Sequence, residues 1–322
     1  MSKFLRKKKE KENSLPNDSL NNLLSAFSSE TDDHTHGDKK QNAPMKRKDP
    51  LKKMDKGEER DKKNIASTKS ASLDPNRILI SPEKTSFYNT TELWENEVEF
   101  LQTLEDKIGK SNRALISIRT IENKSVTNLD LDECGLKNVP EDIFQLKNLR
   151  ILGLRRNNLT SLPKTIGWLE NLEELDLHHN QLKSLSKSVL LLTTLKKLDL
   201  GGNLFENIPE EVFHLPNLTS LILNDNKIDE IDSRIKNLLN LKAISFKGNK
   251  IPQIPSSFCE LRNLEDMDLS HNALTTLPAR IVKLGNLKTI AFDGLDLQLS
   301  EEQVVWLKNL EKNGCKIGGI SF

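Results

Sequence analysis

The sequence predicts an α/β solenoid. A curved parallel sheet lines its concave side and short helical or extended segments its convex side, with a helical cap at each end and a disordered tail in front. Three observations carry that expectation. An apolar residue recurs every 23 residues, at Leu129, Leu152, Leu175, Leu198, Leu221, Ile244, Met267 and Ile290, and no insertion breaks the register. Five positions after each stands a second column, with Cys134 in first place and then Asn157, Asn180, Asn203, Asn226, Asn249 and Asn272. The composition also changes near residue 76, from lysine-, serine- and asparagine-rich to leucine-dominated.

Each element follows from the repeat. Two positions after each repeat start lies a second apolar residue (Leu131, Leu154, Leu177, Leu200, Leu223, Phe246, Leu269 and Phe292), the alternation of a short strand with one buried face. Strands joined by such coils stack in parallel. The asparagine amides hydrogen-bond backbone groups of the turning chain, which would otherwise stay unpaired at about 1–3 kcal/mol each. Leu162-Pro163, Ile208-Pro209, Ile254-Pro255 and Leu277-Pro278 then fix the backbone as it crosses outward, with Ser186 and Asp232 replacing proline in two repeats. Ile143, Ile166, Val189, Val212, Ile235, Phe258 and Ile281, each followed three positions later by leucine, supply the inward face of the convex segment.

The repeat LRILGLRRNNLTSLPKTIGWLENL resembles leucine-rich repeat proteins with 23-residue units. It is similar to the intracellular, scaffold-type, Ras-signalling-associated subgroup and to prokaryotic relatives. The resemblance covers residues 129–299 and implies a leucine-rich repeat solenoid that binds proteins. Leu295 takes the eighth ladder position, so the coil is expected to end there.

A terminal coil needs a cover, because each large side chain left in water costs about 1.5–3 kcal/mol. Residues 300–322 form the C-terminal helical cap. Ser300 and Gln303 make a capping-box signature, Val304, Leu307 and Leu310 recur at helical spacing, Gly314 stops the helix, and Cys315 and Ile317 add a last strand. Residues 77–128 form the N-terminal helical cap and lead-in strand. Asn89 with Glu92 starts a helix whose Trp94, Val98, Leu101, Leu104 and Ile108 make one apolar stripe, and a strand over Ala114–Ile121 leads into the first repeat.

Residues 1–76 bury too little apolar surface to offset chain entropy and are read as a disordered charged tail. Within them Leu20, Leu23, Leu24 and Phe27 share one helical face, either a docking peptide that folds on its partner or a chance cluster. The tail holds 18 basic against 13 acidic residues, which leaves the remainder slightly acidic. That division argues against a nucleic-acid-binding domain and any specific nucleic acid partner. Cys134, Cys259 and Cys315 have no paired spacing, which points to a reducing compartment. No apolar run approaches a membrane span, and no leader is recognisable, so a cytoplasmic location is expected.

Chemistry-bearing motifs are sparse. Gly109-Lys110-Ser111 matches the end of a phosphate-binding loop, but the loop's first glycine is missing and a helix rather than a strand precedes it. Asp176, His178 and Asp199 fall on neighbouring strands about 4.8 Å apart, a conceivable metal set, although solvated polar residues are the usual occupants of an exposed sheet face. No nucleophile–base pair or cysteine–histidine framework is visible, so no catalytic residue, cofactor or metal is expected.

Recognition by the concave sheet remains. Its central column reads Asp130, Gly153, Asp176, Asp199, Ile222, Ser245, Asp268 and Ala291, and the next reads Asp132, Arg155, His178, Gly201, Asn224, Lys247, Ser270 and Asp293. Contact residues are expected among Asp130, Asp132, Arg155, Arg156, Asp176, His178, Asp199, Ile222, Asn224, Lys247 and Asp268, with Ile222 as the apolar anchor. Their charge calls for a protein partner with a basic or mixed-charge face. Trp168, Leu190 and Leu191 mark a second, convex apolar patch. The expected function is a non-catalytic interaction scaffold in signalling, with a secreted effector or surface protein that binds a foreign partner as the alternative.

Overall fold

The computed structural model describes residues 85–88, 91–108 and 117–320. The tail, with its Leu20–Phe27 stripe, and the Gly109-Lys110-Ser111 motif lie outside the described residues.

Strands β1 (Thr85–Tyr88) and β2 (Thr91–Trp94) pair antiparallel, and helix α1 (Glu95–Ile108) follows directly. The helix therefore begins later than Asn89 and Glu92 suggested. Residues 91–94 are drawn into pairing with β1, and Leu93 is buried, while Glu95 and Glu97 take the first helical turn, where carboxylates meet the positive end of the dipole. Val98, Leu101 and Leu104 are buried as the stripe required, joined by Phe100, whereas Trp94 sits on β2.

β3 (Ser117–Glu122) and β4 (Ser125–Asp130) form a hairpin through Asn123 and Lys124, both left-handed at φ 50° and 63°. The lead-in strand thus runs antiparallel to the first repeat strand and closes that edge of the sheet. From β4 onward every pairing is parallel: β5 (Ile151–Gly153), β6 (Glu174–Asp176), β7 (Lys197–Asp199), β8 (Ser220–Ile222), β9 (Ala243–Ser245), β10 (Asp266–Asp268), β11 (Thr289–Ala291) and β12 (Lys316–Gly318). The result is one ten-stranded sheet in sequence order. Repeat starts face one another in register, as in Leu152 with Leu175 and Leu198 with Leu221.

The convex segments are single five-residue 3-10 turns, from Glu141–Gln145 to Ala279–Lys283. Where proline precedes the turn its side chain makes no capping bond; its ring fixes φ and its carbonyl accepts the turn's closing amide, as Pro163 does from Ile166 at 3.2 Å. At the two exceptions the side chain acts instead: Asp232 Oδ1 accepts from the Arg234 amide at 2.7 Å, and Ser186 Oγ from that of Ser188 at 3.5 Å.

Between sheet and turns lies a continuous apolar core of the repeat leucines and isoleucines, with Phe205, Phe246, Phe258 and Phe292 fully buried. The asparagine ladder ties the coils together. Asn203 Oδ1 accepts from the Leu182 amide at 3.0 Å, and its Nδ2 donates to the Leu177, Leu200 and Gly201 carbonyls at 2.9–3.0 Å. A second ladder runs outside it. Asn171, Asn217, Asn240, Asn263 and Asn286 each donate Nδ2 to a carbonyl of the preceding coil at 2.8–2.9 Å, and Thr194 Oγ1 takes the same place.

The inner ladder stops at Leu295, and α2 (Glu301–Lys312) caps the last coil. Ser300 and Gln303 close the capping box, Leu307 and Leu310 are buried, and Trp306 Nε1 donates to the Leu284 carbonyl at 3.1 Å. Gly314 turns the chain at φ 92° into β12.

Candidate binding surface

The concave face carries three columns of outward side chains, one more than the sequence reading used. The extra column is the residue just before each repeat start: Ile151, Glu174, Lys197, Ser220, Ala243, Asp266 and Thr289. Strand alternation places it on the same face as the column two positions later, so the signal was present in the spacing.

The central aspartates hold the backbone. Asp130, Asp176, Asp199 and Asp268 each accept, through Oδ1, the amide two residues on, at 2.8–3.0 Å. Asp132 Oδ1 does the same across strands for the Arg155 amide at 2.7 Å. These bonds order the turn after each strand.

After that turn comes a column of left-handed residues, Glu133, Arg156, His179, Gly202, Asp225, Gly248, His271 and Gly294, at φ 51–71°. Arg156 therefore sits on this turn, not on the sheet. It is ion-paired to Glu133 at 2.9 Å, one residue along the chain from Arg155. Gly201 is needed for a different reason: a Cβ there would lie 2.4 Å from His178 Nδ1, so its bare backbone makes room for that ring.

Asp130, Asp132, Arg155, Asp176, His178 and Asp199 converge at β4–β7. His178 Nδ1 stands 3.5 Å from Asp199 Oδ1, an ion-pair separation that leaves Nδ1 without a hydrogen bond. Burial, and then the neighbouring Asp199 charge, pushes the Asp176 carboxyl up to about 7. Burial by itself drives His178 down, but the Asp199 and Asp176 carboxylates outweigh it and leave His178 raised. The His179 ring lies beside it, tilted by 57° with centroids 3.9 Å apart, and burial lowers it, followed by repulsion from His178.

Beyond β7 the floor changes character. Ser220, Ala243, Ser245, Ser270 and Ala291 are small and buried, with Ile222 half-buried among them. Asn224 accepts from the Ser245 hydroxyl, and Lys247 is half-exposed. Asp268 is only 1% exposed, which raises its carboxyl and removes it from the accessible contact set.

Two other surfaces are less selective. A groove of about 880 Å³ follows the edge before the strands, lined by the outer ladder and by Glu173, Lys196, Thr219, Lys242, Glu265 and Lys288. Its charges neutralise one another between coils, as in Lys196 with Glu173 at 2.6 Å and Lys242 with Glu265 at 3.3 Å. On the convex side Leu190 and Leu191 are 39% and 55% exposed, next to Trp168, whose ring meets Phe144 edge-on at 5.0 Å.

Among the described residues no three His, Cys, Asp or Glu side chains converge as a metal site would require, and no helix is long and apolar enough to cross a membrane. The three cysteines are buried free thiols. Burial pushes each of them up to about 11, so they stay protonated at neutral pH.

Family comparison matches residues 124–232 to a leucine-rich repeat region and residues 216–274 to a leucine-rich repeat. Comparison with curated proteins gave no match. Among solved structures the chain is similar to a leucine-rich repeat protein of Leptospira interrogans, with 30% identity over 59% of this chain and 60% of that one, at a TM-score of 0.44. It is also similar to internalin C2 of Listeria monocytogenes, with 25% identity over 55% of this chain and 75% of that one, at 0.49. A third is the ectodomain of the plant membrane receptor kinase GASSHO1/SCHENGEN3 of Arabidopsis thaliana, with 29% identity over 54% of this chain and 24% of that one, at 0.42. The chain thus spans less than two thirds of the Leptospira protein and about a quarter of the plant ectodomain.

Proposed function

Because this chain is a leucine-rich repeat protein, we propose that it is a non-catalytic scaffold that holds a protein partner against its concave sheet. Repeats of this kind are typically interaction modules rather than catalysts. The observation that carries the reading is the contrast between columns. Core positions repeat the same residue types coil after coil, whereas the concave column varies along the solenoid, from Gly153 through Asp176 and Asp199 to Ile222, Ser245 and Ala291. A rigid frame with a variable face is the arrangement that recognition uses.

The proposed contact set is Asp130, Asp132, Arg155, Asp176, His178, Asp199, Ile222, Asn224 and Lys247. Its excess of carboxylates favours a partner with a basic or mixed-charge face. We extend the proposal to a cytoplasmic role in signalling; the three buried free thiols are compatible with a reducing compartment.

The test is a crosslinking pull-down from cells that compares the full chain with two variants. One carries Asp176→Asn, Asp199→Asn and Ile222→Arg; the other carries Leu191→Ser on the convex side. The concave triple variant is expected to lose the partners that the convex variant keeps. Identical captures from the triple variant and the unaltered chain would refute the concave assignment.

A further inference from the structure

The last coil is covered on its convex side only. There α2 buries Trp306, Leu307 and Leu310, while the sheet side has no coil after it. Ile317 stands in register with Ile290, and Leu297 holds the place that Leu274 and Ile251 hold in the two coils before. Ile290, Leu274 and Ile251 are 0–2% exposed, whereas Ile317 and Leu297 are only half-buried. Apolar surface left at a solenoid end is a standing cost.

β12 is also the outermost strand of the sheet, paired with β11 alone among the described residues. The Lys316 amide donates to the Lys288 carbonyl at 2.8 Å, and the Gly318 carbonyl accepts from the Phe292 amide at 3.1 Å, so both residues turn their main chain toward β11. Ile317 between them therefore turns its amide and carbonyl outward. One donor and one acceptor on the same residue match a copy of themselves. Two such strands, run antiparallel about a two-fold axis, exchange both Ile317 bonds.

Charge favours the same arrangement. In that pairing Lys316, an exposed residue, falls opposite Gly318 of the second copy, with Cα atoms about 4.5 Å apart. Asp293 leans over Gly318, its Oδ2 3.3 Å from where a Cβ would stand. The ammonium of each copy thus reaches the other's Asp293 carboxylate, twice by symmetry. The face of α2 turned away from Leu307 and Leu310 runs Glu301, Val305, Lys308 and Lys312, all exposed. Reversed against itself, that face sets an acidic end beside a basic one.

We infer that the C-terminal end of the solenoid docks a second copy of this chain, β12 against β12, with reciprocal Lys316–Asp293 ion pairs and with Ile317 and Leu297 shielded from water. The two sheets join edge to edge, and both concave faces stay open on the same side. The inference does not depend on what the concave face binds.

Analytical ultracentrifugation of the full chain, from micromolar to near-millimolar concentration, tests this. The mass should rise from one chain to two and stop there. Lys316→Glu and Asp293→Lys, both at exposed positions, should each weaken dimerisation at least about tenfold, because each sets like charges face to face. Mixed in equal amounts, the two variants should dimerise with one another, since every pair then joins opposite charges. A chain carrying both reversals should recover the dimer, which a misfolded end could not do. A single-chain mass at every concentration overturns the inference, as does open-ended growth, the product of β12 docking head to tail on β3. So does a dimer indifferent to both reversals, or a mixture and a doubly reversed chain that stay single.

Discussion

Glu97 is a carboxyl group sealed under the first repeat, 2% exposed on α1. Ser125 Oγ donates to its Oε1 and the Val126 amide to its Oε2, both at 2.8 Å, and Asn148 Nδ2 donates in turn to Ser125 Oγ. Two donors favour the ionised form, but burial outweighs them and pushes the group from 4.5 up to about 7. The folded state therefore holds this proton to higher pH than the unfolded chain does. The resulting stabilisation is fully present below about 4.5 and is lost as pH rises through about 7. Glu97→Gln removes the titration. Urea unfolding followed by tryptophan fluorescence should show the variant gaining on the wild type, by at most about 3 kcal/mol, between about pH 5 and about pH 8. Parallel pH profiles for the two proteins would mean that Glu97 ionises as an ordinary carboxyl. No sequence pattern marked Glu97, because a glutamate in a first helical turn reads as a dipole partner and its enclosure depends on where Ser125 and Asn148 arrive.

At the scale of the coil, the two polar ladders do unequal work. Asn203 is buried and serves one amide and three carbonyls, so alanine there strands backbone groups that water cannot reach. Asn240 makes a single bond, to the Pro216 carbonyl at 2.9 Å, on an exposed edge. Asn203→Ala should cost about 2–4 kcal/mol and Asn240→Ala less than about 1 kcal/mol, measured by chemical denaturation. Equal losses would show that the inner ladder owes its regularity to something other than hydrogen bonding. The inner ladder was legible because an asparagine beside buried leucines has only one physical use. The outer ladder has the same 23-residue period, from Asn171 through Asn286, but exposed asparagines are expected on any surface and gave no reason to look. The left-handed column was harder still. Gly202, Gly248 and Gly294 announce it, while Arg156, His179, Asp225 and His271 adopt the same φ and disguise it. The burial of Asp268 was not legible either, since exposure on a curved face depends on neighbouring side chains that a column of letters does not display.

Across the whole molecule each coil touches only the coils beside it, so stability is a chain of neighbour terms with vulnerable ends. The caps were legible as amphipathic helices because an end coil without cover is untenable. The antiparallel β3–β4 closure was not, since residue type does not set a strand's direction. At the C-terminal end Leu307 is fully buried, beside Trp306 and Leu310, which are also buried, and Gln303 Nε2 donates to the Leu277 carbonyl at 3.0 Å. Leu307→Asp places an unpaired carboxylate in that contact, at a cost of about 3 kcal/mol or more. The neighbour-only architecture dictates where the damage goes. α2 detaches, β12 and β11 lose their cover, and fraying moves inward through β10 until the remaining interfaces hold. Hydrogen exchange read by mass spectrometry should therefore show protection lost over residues 289–318 and weakened over 266–268, with residues 151–199 unchanged. Uniform loss from β5 to β11 would mean that the solenoid unfolds as a single block. In that event a partner held on the proposed concave face would stabilise both ends equally, whereas local fraying leaves either end free to open while the centre stays folded.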